Sequence, residues 1–118
     1  PDALERKVRK MAGNATIEVI EKMPAVVSHK NTRLVRALLR SIRQQGGQPR
    51  FAIKTGTSDM NIVAPIWKCP IVAYGPGDSR LDHTPNEHIC LDEYQRAIAV
   101  LEATFLGLRK PGRQEEKG

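Results

Sequence analysis

The sequence predicts an α/β fold, and three observations carry that expectation. Residues 31–45 form an amphipathic helical pattern, residues 50–74 read as strand, helix and strand in succession, and residues 92–108 close the chain with a second long helical pattern. At 118 residues there is room for one hydrophobic core, and a 40% hydrophobic content excludes wholesale disorder. No apolar run approaches the roughly 18 residues of a membrane span and nothing resembles a signal peptide, so no membrane partner is expected. Cys69 and Cys90 are too few for a disulfide framework and form no CxxC pair, which makes the reducing cytoplasm the expected compartment. Nineteen Lys and Arg against thirteen Asp and Glu leave a charge of +6. That excess implies affinity for something acidic, whether nucleic acid, an anionic membrane surface, an acidic protein or an anionic small molecule.

In chain order, residues 1–12 read as a helix with Leu4, Val8 and Met11 on one face and Gly13-Asn14 as its stop. Residues 15–27 are rich in β-branched side chains and read as a strand broken near its end by Pro24. One helix and one strand cannot enclose a core, so this segment is expected to belong to something larger. Residues 31–45 carry Leu34, Val35, Leu38, Leu39 and Ile42 on one face and end at Gly46-Gly47. The opposite face holds Arg33, Arg36, Arg40 and Arg43 in one stripe. A solvated basic face, a docking surface for an acidic partner and a nucleic-acid contact all remain open for it.

A short strand at 50–54 and a turn at 55–57 precede a helix that starts at Ser58 or Asp59 and runs towards Ile66. Ile71-Val72-Ala73-Tyr74 has no polar alternation, as a strand buried on both faces would not. The sixteen residues 75–90 then lose all periodicity while holding two of the three histidines. A loop of that length leaving a buried strand is where α/β sheets place ligands. In the last helix, Tyr94, Ala97, Ile98, Leu101, Phe105 and Leu108 form the expected core face, with Asp92 and Gln95 as a capping box.

Several constellations bear on chemistry. Lys54-Thr55-Gly56 matches one motif of the serine β-lactamase class, but the Ser-x-x-Lys nucleophile motif is absent. GxxxxGK[ST] is also absent, which excludes a P-loop. Cys69, His83, His88 and Cys90 have the atoms for zinc in no usual spacing, and Cys69 at the mouth of an apolar strand is more commonly a buried, inert thiol. His83 is, as a lone loop histidine, more often a surface residue than a ligand, while Glu87 four residues on would suit the supporting acid of a metal site.

The string Gly75-Pro76-Gly77, a spacer, His83-Thr84-Pro85-Asn86-Glu87, an apolar residue and a long helix resembles the C-terminal end of the dinuclear-zinc aminoacylase and carboxypeptidase superfamily. That superfamily includes acetylornithine deacetylase and succinyl-diaminopimelate desuccinylase. Lys54-Thr55-Gly56-Thr57-Ser58-Asp59 is similar to its strand-to-helix turn, and the two motifs with the strand between them cover nearly all of residues 31–108. Gly56 to Asn61, Tyr74 to Ser79 and Leu81 to Glu87 most resemble the members that release lysine or ornithine from an amino-group carrier protein, in carrier-linked lysine and arginine biosynthesis. Many relatives carry Gly-Arg after the Ser-Asp pair, where the Arg receives a substrate carboxylate. Met60-Asn61 stands there instead, which removes that clamp and puts the narrower amino-acid deacylase assignments in doubt.

The resemblance implies a set of roles. His83 matches the last metal-ligating histidine, and Glu87 the acid that supports the site without ligating. Thr57, Ser58, Asp59 and Asn61 match the turn lining the substrate pocket, and Gly75, Pro76 and Gly77 the loop beneath the substrate. Two Zn²⁺ per complete subunit, with Co²⁺ as an alternative, would activate a water and polarise an amide carbonyl. The general base and the remaining ligands come in the family from an earlier half, in a His-x-Asp motif, a Glu-Glu pair and a further acid. His29, His83 and His88 are followed two positions later by Asn31, Pro85 and Cys90, so no His-x-Asp occurs here. A catalytic zinc takes about three protein ligands, and the chain is therefore expected to be a C-terminal fragment with no catalytic residue of its own, inactive without the remainder of the polypeptide.

The resemblance also divides the chain. Residues 1–24 match the last helix and strand of an α+β lid domain that forms homodimers. Residues 25–108 match the C-terminal portion of a catalytic domain built on a mixed sheet, and 109–118 a flexible tail. The implied partner is an acidic amino-group carrier protein. The alternatives are an N-acetyl-amino-acid deacetylase or dipeptidase of the same superfamily and, in a different class, a basic nucleic-acid-binding module. The last is poorly served by five aromatics, most at apolar positions.

Overall fold

The computed structural model describes residues 2–54 and 56–109. It contains α1 (Asp2–Met11), α2 (Arg33–Gln44), α3 (Asp59–Trp67) and α4 (Leu91–Leu108). The chain divides into two compact units, Pro1–Ser28 with Ile53–Ile71 and His29–Ala52 with Val72–Gly118. Pro1, Thr55 of the expected turn and residues 110–118 of the expected tail lie outside the described residues.

In the first unit, α1 forms where the sequence predicts it, with Asp2 and Glu5 in its first turn and Arg9 and Lys10 in its last, as the helix dipole favours. Glu5 accepts from Arg9 at 2.9 Å and from Lys22 at 2.8 Å, and Lys22 also pairs with Asp2. Lys22 holds both carboxyls below, and is itself held above, their ordinary values. All three groups face water, so these pairs orient the segment after α1 more than they stabilise it. Leu4 (67% exposed) and Met11 (78%) stay uncovered, and neither α1 nor α3 buries a residue. This unit encloses no core of its own, as its length leads one to expect.

In the second unit, α2 packs on α4. Thr32 starts α2 by accepting the Val35 N–H on its side-chain oxygen at 3.1 Å. The helix stops in a Schellman motif: Gly46, at φ +76°, donates to the Arg43 carbonyl, and Gly47 donates to the Ile42 carbonyl. A Cβ on Gly47 would sit 2.8 Å from Ile42 Cγ2 and 3.1 Å from the Ile42 carbonyl oxygen, so glycine is required there by space. Arg33 Nη2 donates to the Leu108 carbonyl at 2.9 Å, satisfying one acceptor at the end of α4. Among the described residues, Val35, Leu38, Ala97 and Val100 are the buried apolar ones, joined by Ser41 and by Thr104, whose hydroxyl donates back to the Val100 carbonyl at 2.7 Å.

The buried face of α4 differs from the expected one. Ala97, Val100 and Thr104 face inward, while Tyr94 and Ile98 (50% each) and Phe105 (63%) stay exposed. The helix is apolar around most of its circumference, and the small side chains on one side let α2 approach closely. A hydrophobic pattern weighs bulk and so selects the wrong side. The expected Asp92 and Gln95 capping box is also replaced: Cys90 is the N-cap, without a side-chain hydrogen bond.

No strand is formed among the described residues. A strand exists only through a hydrogen-bonded neighbour, and segments 15–27, 50–54 and 71–74 have no ladder here. They do not become helical either, so the mixed sheet is neither built nor replaced.

Candidate functional site

The loop 75–90 is a chain of turns. Leu81 N–H donates to the Asp78 carbonyl at 2.9 Å, Thr84 N–H to that of Leu81 at 3.1 Å, and Glu87 N–H to that of Thr84 at 3.1 Å. Thr84 Oγ1 reinforces the second turn by donating to the Leu81 carbonyl at 2.8 Å. Asp78 fixes the first one: its Oδ1 accepts the Arg80 N–H at 3.0 Å, and the Arg80 guanidinium forks onto the same carboxylate at 2.5 to 3.0 Å. The Arg80 side chain, then its backbone N–H, hold the Asp78 carboxyl down to about 2.

His83 stands at the middle of this run with φ 63°, one of two non-glycine residues at positive φ among the described residues. Histidine tolerates the left-handed region better than most residues but still at a cost, and such conformations gather at functional positions. The strained residue is tied down locally, because Glu87 Oε2 accepts the His83 backbone N–H at 3.2 Å. The sequence-predicted pair therefore meets through the backbone of the histidine, and the His83 imidazole remains exposed. His88 differs: its Nδ1 lies 2.6 Å from the Asn86 carbonyl, an acceptor, which assigns the proton to Nδ1.

Gly75, Pro76 and Gly77 line a shallow groove of about 240 Å³ with Tyr74, Glu93 and Arg96. Gly77 takes φ +94°, open to glycine and strained for other residues. Burial raises the Tyr74 hydroxyl above its ordinary value. Tyr74, Glu93 and Arg96 escape sequence reasoning, since the first ends an apolar run and the others are ordinary polar residues in the first two turns of a helix. Only the approach of the α2 terminus at Gly47 and Gln48 makes them neighbours.

The other sequence-predicted residues belong to the first unit. Ser58 is the N-cap of α3, and its N–H donates to Asn61 Oδ1 at 2.9 Å while Asn61 N–H donates to the Ser58 carbonyl at 2.8 Å. Asn61 Nδ2 donates onward to the Pro24 carbonyl at 2.8 Å. Asp59 occupies the first turn, where a carboxylate suits the dipole, and Thr57 is exposed. Thus Thr57, Ser58, Asp59 and Asn61 form one group, and Gly75, Pro76, Gly77, His83 and Glu87 another.

Cys69 and Cys90 are free thiols and both exposed, so the buried, inert thiol expected at Cys69 is not found: the apolar strand that would cover it is not formed. Among the described residues, no three His, Cys, Asp or Glu side chains are grouped to hold a metal ion, and no helix is long and apolar enough to cross a membrane.

Residues 1–106 match the family model described as peptidase family M20/M25/M40. The chain is 57% identical over 84 residues to the [LysW]-lysine hydrolase of Deinococcus radiodurans, an alignment covering 71% of this chain and 23% of that protein. It is 48% identical over 84 residues to the [LysW]-lysine/[LysW]-ornithine hydrolase of Sulfurisphaera tokodaii, covering 71% and 24%. A protein of the same name from Saccharolobus islandicus is 37% identical over 92 residues, covering 78% and 26%. The chain spans about a quarter of the length of these curated relatives.

Proposed function

Because this chain belongs to peptidase family M20/M25/M40, we propose that it is the C-terminal part of a metal-dependent amide hydrolase that releases lysine or ornithine from an amino-group carrier protein. The observation that carries this reading is the 57% identity to a [LysW]-lysine hydrolase over most of the chain. The carrier is then the macromolecular part of the substrate and the scissile bond an amide to the amino acid. Lysine or arginine biosynthesis in the cytoplasm is the setting, and a homodimer formed through the lid domain, of which residues 1–24 are the end, is the assembly.

In this reading His83 is the chain's one metal ligand. The loop around it supports that role: three successive turns and the Glu87 carboxylate hold its backbone in the left-handed conformation, so the imidazole is carried on a fixed stem. Glu87 is a positioning residue, occupied by the His83 N–H. Gly75, Pro76 and Gly77 form the floor beneath the substrate, and Thr57, Ser58, Asp59 and Asn61 the lip of its pocket. The metal pair, Zn²⁺ or Co²⁺, supplies Lewis acidity for amide hydrolysis when bound. One imidazole does not fill the roughly three protein positions of a catalytic zinc. The remaining ligands and the general base belong to the rest of the polypeptide, and the fragment alone is inactive.

The test uses the complete polypeptide with carrier-linked lysine and ornithine, and with N-acetyl amino acids as the competing substrates. Release from the carrier is expected, and His83→Ala is expected to abolish it and to lower the bound metal. Unchanged turnover in His83→Ala rejects the ligand role. Tight binding of two metal ions by the isolated 118 residues rejects the fragment reading.

A further inference from the structure

We propose that Arg96 and Glu93 select the amino acid that is released, Arg96 by receiving its carboxylate and Glu93 by receiving its free amine. The inference rests on the hydrolase reading and deepens it by naming residues that choose the substrate.

The groove of about 240 Å³ collects unlike chemistry in a small space. Glu93 and Arg96 line it from the first two turns of α4, together with Gly75, Pro76 and Gly77. Residues three apart on a helix have their Cβ atoms about 5–6 Å from each other. Both side chains are exposed, and no ion pair joins the two among the described residues. Glu93 lies in the first turn, where the helix dipole favours an ionised carboxylate.

Tyr74 adds a hydroxyl to the same place. Burial raises its pKa and the Arg96 charge opposes that rise more weakly, so the hydroxyl stays neutral, able to donate and to accept. Ile42, Ala97 and Val100 complete the lining with apolar surface.

This set fits an amino acid that carries a second amine. Joined to a carrier through one amine, lysine or ornithine keeps its carboxylate, its other amine and an aliphatic chain. A guanidinium takes a carboxylate by two parallel hydrogen bonds. An ionised carboxylate takes an ammonium group, and the apolar lining takes the methylenes between them. A substrate lacking either charge leaves its protein partner unpaired, and sites built on polar pairing reject such analogues strongly. The volume lies below the roughly 300–1,000 Å³ of pockets for drug-sized ligands, in keeping with a single amino acid. Gly77 opens the loop that carries His83, so the groove begins where the hydrolase reading puts the floor beneath the substrate.

The test is steady-state kinetics of the complete polypeptide on three carrier-linked compounds: lysine, lysinamide, which lacks the carboxylate, and norleucine, which lacks the second amine. The unmodified protein is expected to lose about tenfold or more in kcat/KM on each analogue. Arg96→Gln is expected to lose about tenfold or more on lysine, mostly through KM, and to treat lysine and lysinamide within about twofold. Glu93→Gln is expected to treat lysine and norleucine within about twofold while still rejecting lysinamide. Arg96→Lys keeps the charge without the fork and should recover part of the loss; if circular dichroism shows that Arg96→Gln loses its fold, Arg96→Lys decides by its selectivity. A variant that slows all three compounds equally has a structural effect, and that result overturns the proposal, as does selectivity unchanged in both variants. If the unmodified protein releases nothing from the carrier, the hydrolase reading itself falls; with release intact and selectivity unmoved, only the roles of Arg96 and Glu93 fall.

Discussion

The Glu87 carboxylate accepts the backbone N–H of His83 at 3.2 Å, and it does so at a histidine whose φ is 63°. An acid four residues downstream thereby holds the stem of the histidine and leaves the ring exposed. On the proposed ligand role of His83, Glu87→Ala in the complete polypeptide should lower metal affinity by about 10- to 100-fold, the usual effect of removing a ligand's support. Glu87→Gln, which keeps an amide oxygen as acceptor, should retain most of it. Competition with a chromophoric chelator reads both values, and wild-type affinity in Glu87→Ala would show that the contact is incidental.

Asn61 closes the start of α3 on one side and reaches the Pro24 carbonyl on the other. Loss of a capping side chain costs about 0.5–2 kcal/mol, so Asn61→Ala should lower stability by about that amount and speed amide exchange in the first turn of α3. Asn61→Asp keeps the acceptor for the Ser58 N–H and loses the donor to Pro24, and it should fall between the two. Equal stabilities for all three by thermal melting would refute the role.

The α2 and α4 contact is sensitive to volume on one side of α4 only. Val100→Ala, at 1% exposure, should destabilise by about 2 kcal/mol, and Ala97→Leu, which overfills the same contact, by about 1–3 kcal/mol. Phe105→Ala, at 63% exposure, should stay within about 0.5 kcal/mol in the isolated chain. Denaturant titrations of the three decide the matter, and a larger loss for Phe105→Ala than for Val100→Ala would mean that the other face of α4 is the covered one.

The Asp78 carboxyl is held at about 2 by Arg80. A folded-state value depressed below the unfolded one, about 3.9, means a contribution fully present above the unfolded value and lost as pH falls through the folded one. The first turn of the loop should therefore hold down to about pH 4 and loosen between about pH 4 and pH 2. A carbon-detected NMR titration of Asp78 should give that low midpoint, and Arg80→Ala should return it to the ordinary carboxylate range. An ordinary midpoint in the unmodified chain would dissolve the clamp.

Much of the local structure is legible in the residues because it is decided within a few positions. Gly46-Gly47 marks the stop of α2 and Ser58 the start of α3, each through hydrogen bonds to near neighbours. The helices fall within two residues of their predicted bounds for the same reason. The motif from Gly75 to Glu87 is likewise legible as a loop with a histidine and an acid four apart. What escapes is anything settled by an approaching element. The groove joining Tyr74, Glu93 and Arg96 to Gly75 needs the end of α2 beside it, and the strands expected at 15–27, 50–54 and 71–74 need neighbours to pair with.

The sequence by itself determined the positions of the helices, the stop of α2 and the start of α3, the loop that carries His83, and the family, through short-range rules and ordered motifs. Tertiary structure alone decided that Ala97, Val100 and Thr104 turn inward while Tyr94, Ile98 and Phe105 do not. It also decided that Asn61 reaches Pro24. The physical reason is common to both: residue type and spacing state what a side chain can bury or bond, and only the element that comes near selects which of these is realised.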